Sequence, residues 1–180
     1  MTHRMILAGS GGQGILTVGK LLAECAMFEG FHVTYFPSYG AEVRGGTAHC
    51  HVVLSHDEIC SPLVEDASAL MIMNQPSLER FGPQLVRNGL LVLNTSMASV
   101  PASLRSRIII EVPASDVARR LGDVRVANMV MLGALNAALG LVRRDRILEA
   151  LAQRLLGKAD ALMPLNEQAL IQGENLSQHR

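Results

Sequence analysis

Short apolar runs alternate along this chain with segments whose apolar positions recur every three or four residues. The first run, at 5–10, leads into glycines, and residues 14–28 then place Ile15, Val18, Leu22, Cys25 and Ala26 at the helical period. Gly30 closes that helix, and "FHVTYF" at 31–36 reads as a second strand stopped by Pro37, completing a strand–helix–strand unit. Residues 48–55 alternate, with Ala48, Cys50, Val52 and Leu54 on one face and His49, His51 and Val53 on the other. "ALMIMN" at 69–74 is apolar throughout most of its length, as for a strand covered on both sides. Pro76 then opens a helix to about Val86, and further strands follow at 88–96 and 107–113. "ASDVARRL" reads as a short helix with Ser115 or Asp116 near its start.

From 126 to 139 the chain is apolar almost all round, and Gly133, Ala134, Ala137 and Ala138 permit close backbone contact. Such a helix is buried, either in its own domain or against another subunit; the pattern leaves both open. An amphipathic helix at 143–156 and a last one at about 160–172 follow, and "GENLSQHR" reads as a frayed end. The expectation is an α/β fold over a single domain, 1–180. It is a Rossmann-like three-layer open sheet, mostly parallel, of five or six strands with helices on both faces.

Composition narrows the function classes. Sixteen basic against sixteen acidic residues give no global field for nucleic acid or an anionic membrane, and no run of about 18 apolar residues exists to span a bilayer. Cys25, Cys50 and Cys60 form no C-x-x-C pair, so neither a zinc ribbon nor a cysteine-ligated iron–sulfur cluster is encoded. An odd thiol count and an opening "MTHRMILAGS" too short in apolar residues for an export signal point to the cytoplasm.

Candidate chemistry gathers where strands end. Gly9, Gly11 and Gly14 have the G-x-G-x-x-G spacing of a dinucleotide turn, so Gly9, Ser10, Gly11, Gly12, Gln13 and Gly14 are candidates for contact with phosphate. The acid that would hold an NAD ribose is missing: Thr34 to Ser38 occupy its place, and Glu29 sits at the wrong end of the strand. Ile15-Leu16 after Gly14 excludes a P-loop. The other strand ends carry Asn74, Asn94 and neighbouring hydroxyls, which suit binding or simple capping better than proton transfer; no catalytic residue is assigned.

The segment 38–47 sets Ser38, Tyr39, Glu42, Arg44 and Thr47 among Gly40, Gly45 and Gly46. It reads as a contact-making loop or as a solvated hairpin in which Glu42 and Arg44 pair. His49, His51 and His56 raise a metal site, but Cys50 points to the opposite face and no further ligand pair exists, which favours a structural role and no metal.

Four stretches, "GSGGQGILTVGKLLAECA", "YFPSYGAEVRGGTAHCHVVLS", "ICSPLVEDASALMIMNQPSLERF" and "NGLLVLNTS", together resemble the gamma subunit of 2-oxoacid:ferredoxin oxidoreductases over about residues 5–140. "SYGAEVRGGTA" looks most like the 2-oxoglutarate branch; indolepyruvate, pyruvate and branched-chain enzymes are the alternatives, and a stand-alone nucleotide-binding or regulatory domain is the alternative of another class. The resemblance implies alpha and beta partner subunits, with a ferredoxin-like delta subunit as a further candidate and ferredoxin as acceptor. It places thiamine diphosphate, Mg and iron–sulfur clusters on those partners and brings in coenzyme A as co-substrate. It also implies that residues 9–14 and 38–47 face coenzyme A or another subunit, with Arg44 as the charge-recognising group. His49 stands where the family pattern leads one to expect Asn.

Overall fold

The computed structural model describes residues 1–38, 47–104, 106–155 and 162–178. The strands are β1 (Thr2–Ser10), β2 (His32–Ser38), β3 (Thr47–Ser55), β4 (Ala67–Ile72), β5 (Leu85–Asn94) and β6 (Ile108–Val112). The helices are α1 (Ile15–Phe28), α2 (Gln75–Phe81), α3 (Ala114–Leu121), α4 (Ala127–Leu139), α5 (Arg144–Leu155) and α6 (Met163–Gln178).

The strands form one sheet in the order β2-β3-β1-β4-β5-β6. β1, β4, β5 and β6 run parallel, whereas β3 is antiparallel to both β1 and β2. The mostly parallel α/β sheet expected from the sequence is therefore present, with one inversion that periodicity does not reveal. Its cause is the connection between β2 and β3, which is too short for the dozen or more residues of a parallel crossover. The crossover through α1 accordingly leaves a gap beside β1, and β3 turns back to fill it.

Alternation along the central strands feeds two cores. Met5 and Leu7, Met71 and Met73, Leu90 and Val92 pack with α1 and α4 on one face. Ile6 and Ala8, Leu70 and Ile72, Leu91 and Leu93 pack on the other with Leu78 and Phe81 of α2. The second face has less helix than expected, because Val64, Ala98 and Leu104 from irregular segments complete its cover. Several boundaries shift from the sequence reading, among them the start of β1, at Thr2. α2 stops at Phe81, where Gly82–Gln84 form a tighter turn ahead of Pro83's neighbour strand. β5 starts earlier, at Leu85, and ends at Asn94.

The reading of the last residues as frayed is also corrected: α6 continues to Gln178. Its extension is held by α4. A Cβ built on Gly173 would overlap the Val130 carbonyl, and one on Gly133 would overlap the Leu170 carbonyl, so the two helices cross backbone to backbone at a pair of glycines. Glu174, 6 % exposed, is ion-paired with Arg144 of α5. The apolar helix at 126–139 is thus buried within this chain. Asn136, which interrupts it, donates to the Val142 carbonyl at 2.8 Å and accepts the Val142 N–H at 3.0 Å, closing the turn into α5.

Candidate functional site

The polar edge of the sheet is built at the carboxyl ends of the parallel strands. β1 ends in Ser10, and because β3 is inverted its first residue, Thr47, lies directly opposite, with Ala48 opposite Gly9 and His49 opposite Ala8. On the other side of β3, Ser38 at the end of β2 also pairs with His49. Both ends of the segment 39–46 therefore stand beside the glycine turn. Tyr39, Gly40, Glu42, Arg44, Gly45 and Gly46 themselves lie outside the described residues.

The turn is self-locked at its start and open at its end. The Ser10 N–H donates to Gln13 Oε1 at 2.6 Å, and the Gln13 N–H donates back to the Ser10 carbonyl at 3.2 Å. Gly12 and Gly14 take left-handed backbone with φ of 89° and 72°, a conformation that L side chains rarely adopt. Gly14 caps α1 without a side chain to bond the first-turn N–H groups, and no acidic residue lies in that turn. Its leading N–H groups and the positive end of its dipole are therefore available to an anion. A Cβ at Gly14 would run into Nδ2 of Asn128 on α4, so that amide lies against the turn. Sequence reasoning missed Asn128 in this place, since only the packing of α4 on α1 brings it there.

The other strand-end amides are engaged internally. Asn74 donates from Nδ2 to Ser10 Oγ at 2.5 Å and accepts the Ser77 N–H at 3.1 Å, joining the glycine turn to the cap of α2. Asn94, wholly buried, donates to the Met73 carbonyl at 3.2 Å and to Ser115 Oγ at 3.0 Å, and accepts N–H groups of Ser96 and Ser115. Ser96 in turn donates to Asp116 Oδ2 at 2.9 Å. Asn94→Leu is accordingly expected to cost about 2–3 kcal/mol in urea unfolding, because the Met73 carbonyl and the Ser115 hydroxyl lose their donor inside the protein. A loss below about 0.5 kcal/mol would show that the network contributes little.

The imidazoles take structural positions. His51 Nδ1 accepts the Val64 N–H at 2.9 Å, and His49 packs 4.7 Å from the Phe81 ring and 5.6 Å from His51. Burial, with Arg80 and His51 nearby, lowers the pKa of His49 to about 4. His56 is at the opposite edge, stacked on Phe31 at 4.4 Å. Among the described residues no group of three or more His, Cys, Asp or Glu side chains is placed to hold a metal. Burial pushes the Cys25 and Cys50 thiols up to about 11 and about 12, which keeps them protonated and poor metal ligands. These residues do not fit an iron–sulfur cluster. No helix among the described residues is long and apolar enough to cross a membrane.

Residues 4–176 match the family described as pyruvate ferredoxin/flavodoxin oxidoreductase. The chain belongs to that family. It is 41 % identical over 142 residues to the ketoisovalerate oxidoreductase subunit VorA of Methanothermobacter thermautotrophicus, covering 79 % of this chain and 29 % of that protein. It thus spans about three-tenths of the VorA length. It is 36 % identical over 143 residues to the 2-oxoglutarate synthase subunit KorC of the same organism, covering 76 % of each.

Among solved structures, the 2-oxoglutarate:ferredoxin oxidoreductase of Magnetococcus marinus, with 2-oxoglutarate, coenzyme A and succinyl-CoA bound, superposes at a TM-score of 0.90. That match has 22 % identity and covers 98 % of this chain and 31 % of the other. The keto/oxoacid ferredoxin oxidoreductase gamma subunit of Geobacter sulfurreducens superposes at 0.81 with 25 % identity, covering 97 % of this chain and 98 % of the other. The fold read from the sequence and the family named there both agree with these matches.

Proposed function

We propose that the chain is the gamma-type subunit of a ferredoxin-dependent 2-oxoacid oxidoreductase acting on 2-oxoglutarate, and that its polar edge receives the phosphate-bearing end of coenzyme A. The observation that carries the reading is the uncapped first turn of α1 behind two left-handed glycines, with the Asn128 amide against it. Helix N–H groups and an amide recognise phosphate oxygens without contributing an acid or a base, which suits a binding role. Membership of the family and the similarity to KorC support the subunit assignment. The residues of this turn and of the 38–47 segment, Arg44 above all, hold and orient coenzyme A. Partner alpha and beta subunits supply thiamine diphosphate, Mg and iron–sulfur clusters. The overall reaction consumes a 2-oxoacid anion and coenzyme A, releases carbon dioxide, an acyl-CoA and the thiol proton, and passes two electrons to ferredoxin. A branched-chain 2-oxoacid is the second reading, favoured by the 41 % identity to a ketoisovalerate oxidoreductase subunit.

The test is co-purification of the native complex and reduction of a viologen dye with a panel of 2-oxoacids and coenzyme A. Fastest turnover with 2-oxoglutarate supports the first reading, and fastest turnover with 3-methyl-2-oxobutanoate the second. In the reconstituted complex, Arg44→Ala and Asn128→Ala are each expected to raise the KM for coenzyme A about tenfold while leaving that for the 2-oxoacid unchanged. An inert, partnerless native chain would overturn the subunit assignment, and unchanged coenzyme A kinetics in both variants would overturn the edge as its site.

A further inference from the structure

A narrow cleft opens between α1 and the start of α4, with α5 and α6 behind it, and encloses about 150 Å³. Its walls are Val18, Leu21, Val126, Met129 and Leu151, all buried. Thr17 and Arg125 stand at its exposed rim. Arg125 is the charged residue among the described ones that line the cleft, and Asp123 Oδ2 holds its guanidinium at Nε, 2.9 Å away, and at Nη2, 2.6 Å away. The interior is therefore uncharged and suits a neutral group better than a phosphate.

Two amides also line the cleft, and neither is fully engaged inside the chain. Asn166, in the first turn of α6, is only 9 % exposed. Its Nδ2 donates to the Leu162 carbonyl at 2.7 Å, while its Oδ1 accepts no hydrogen bond among the described residues. That oxygen is not sealed from solvent, so a donor entering the cleft can reach it. Asn128 makes no side-chain hydrogen bond among the described residues, and its Nδ2 is the group that a Cβ on Gly14 would strike. One side chain thus borders both the cleft and the glycine turn, and a single ligand can occupy both.

We propose that this cleft holds the adenine ring of coenzyme A, with the adenine 6-amino group donating to Asn166 Oδ1. The placement rests on the reading of the glycine turn as the phosphate site for that molecule. A volume of about 150 Å³ is below the roughly 300–1,000 Å³ that encloses a whole drug-sized ligand, so the cleft takes one ring system and leaves the rest outside. The thiol end has to reach an acyl group on a partner subunit and therefore leads away from this chain. The flat, uncharged end that remains is the purine. An asparagine amide pairs well with the 6-amino edge of adenine, and the bond from Nδ2 to Leu162 leaves the acceptor as the group on offer. Guanine and hypoxanthine carry an oxygen at that position, which would set acceptor against acceptor.

Isothermal titration calorimetry of the full chain tests it, with coenzyme A, adenosine 3′,5′-bisphosphate and inosine 3′,5′-bisphosphate as the probes. The adenosine compound is expected to bind at least about tenfold more tightly than the inosine compound. Asn166→Ala should remove that preference by weakening adenosine binding while leaving inosine binding within about twofold of wild type. A merely structural Asn166 would weaken both alike. The wild-type comparison needs no substitution, so a variant that fails to fold does not limit the test. Bisphosphates that bind the wild-type chain within about twofold of each other, or a preference that survives Asn166→Ala, overturn the cleft as the adenine site and leave the glycine turn as a phosphate site. A chain that binds no coenzyme A overturns the reading of the turn, and the adenine site with it.

Discussion

Gly173→Val is expected to destabilise the chain by at least about 3 kcal/mol, because the added carbons have no room where α6 crosses α4. A Cβ at that position would lie 2.8 Å from the Val130 carbonyl carbon and 2.9 Å from the Ala134 nitrogen, and both are backbone atoms that cannot rotate aside. Gly133→Val meets the Leu170 carbonyl carbon at 3.0 Å and the Glu174 nitrogen at 3.2 Å, so it should act in the same direction. Relief would require α6 to lift from α4, opening the core around Ala169 and Leu170, both wholly buried. Equilibrium unfolding in urea measures the cost. Gln172→Val, one residue away on the exposed side of α6, is the control, with an expected loss of about 0.5 kcal/mol from helix propensity alone. Equal losses at 172 and 173 would mean that the helices do not meet at the glycines.

Acid should weaken the fold through His49. Its pKa in the folded chain is about 4, below the ordinary 6.5, chiefly because burial disfavours the imidazolium and secondarily because Arg80 and His51 repel it. The unfolded chain therefore binds the extra proton more readily. Stability from this residue is complete above about pH 6.5 and is lost progressively as the pH falls toward 4. His3 and His51, also lowered by burial, add in the same direction. The contribution of His49 to the loss is about 1–3 kcal/mol, its upper end set by the full difference between the two states. Urea unfolding at pH 7.5 and at about pH 4.5 measures it. His49→Asn should reduce the difference between the two pH values, and an unchanged difference would remove His49 as its source.

Both effects show where sequence reading reaches and where it stops. Repeated apolar spacing revealed every strand of the sheet and the helices between them, because burial on one or both faces writes its period directly into the chain. The glycine turn was equally legible: left-handed backbone at Gly12 and Gly14 needs glycine locally, whatever lies around it. The last helix was not legible over its full length. "GENLSQHR" is polar, and what holds its first residues is Arg144 and the backbone of α4, both distant in sequence. Asn128 was missed for the same reason.

Alone, then, the sequence determined the α/β class, the alternation of elements, the buried nature of residues 126–139 and the glycine-lined strand end, since each depends on local spacing and composition. Tertiary structure decided that β3 runs backwards between β1 and β2, that Asn74 caps α2 while Asn94 ties the Met73 carbonyl to Ser115, and that α4 is covered by α6. It also set Asn128 at the glycine turn. Apart from that cap, each of these is a meeting of residues far apart along the chain, and such meetings are fixed by which surfaces pack, which no local period records.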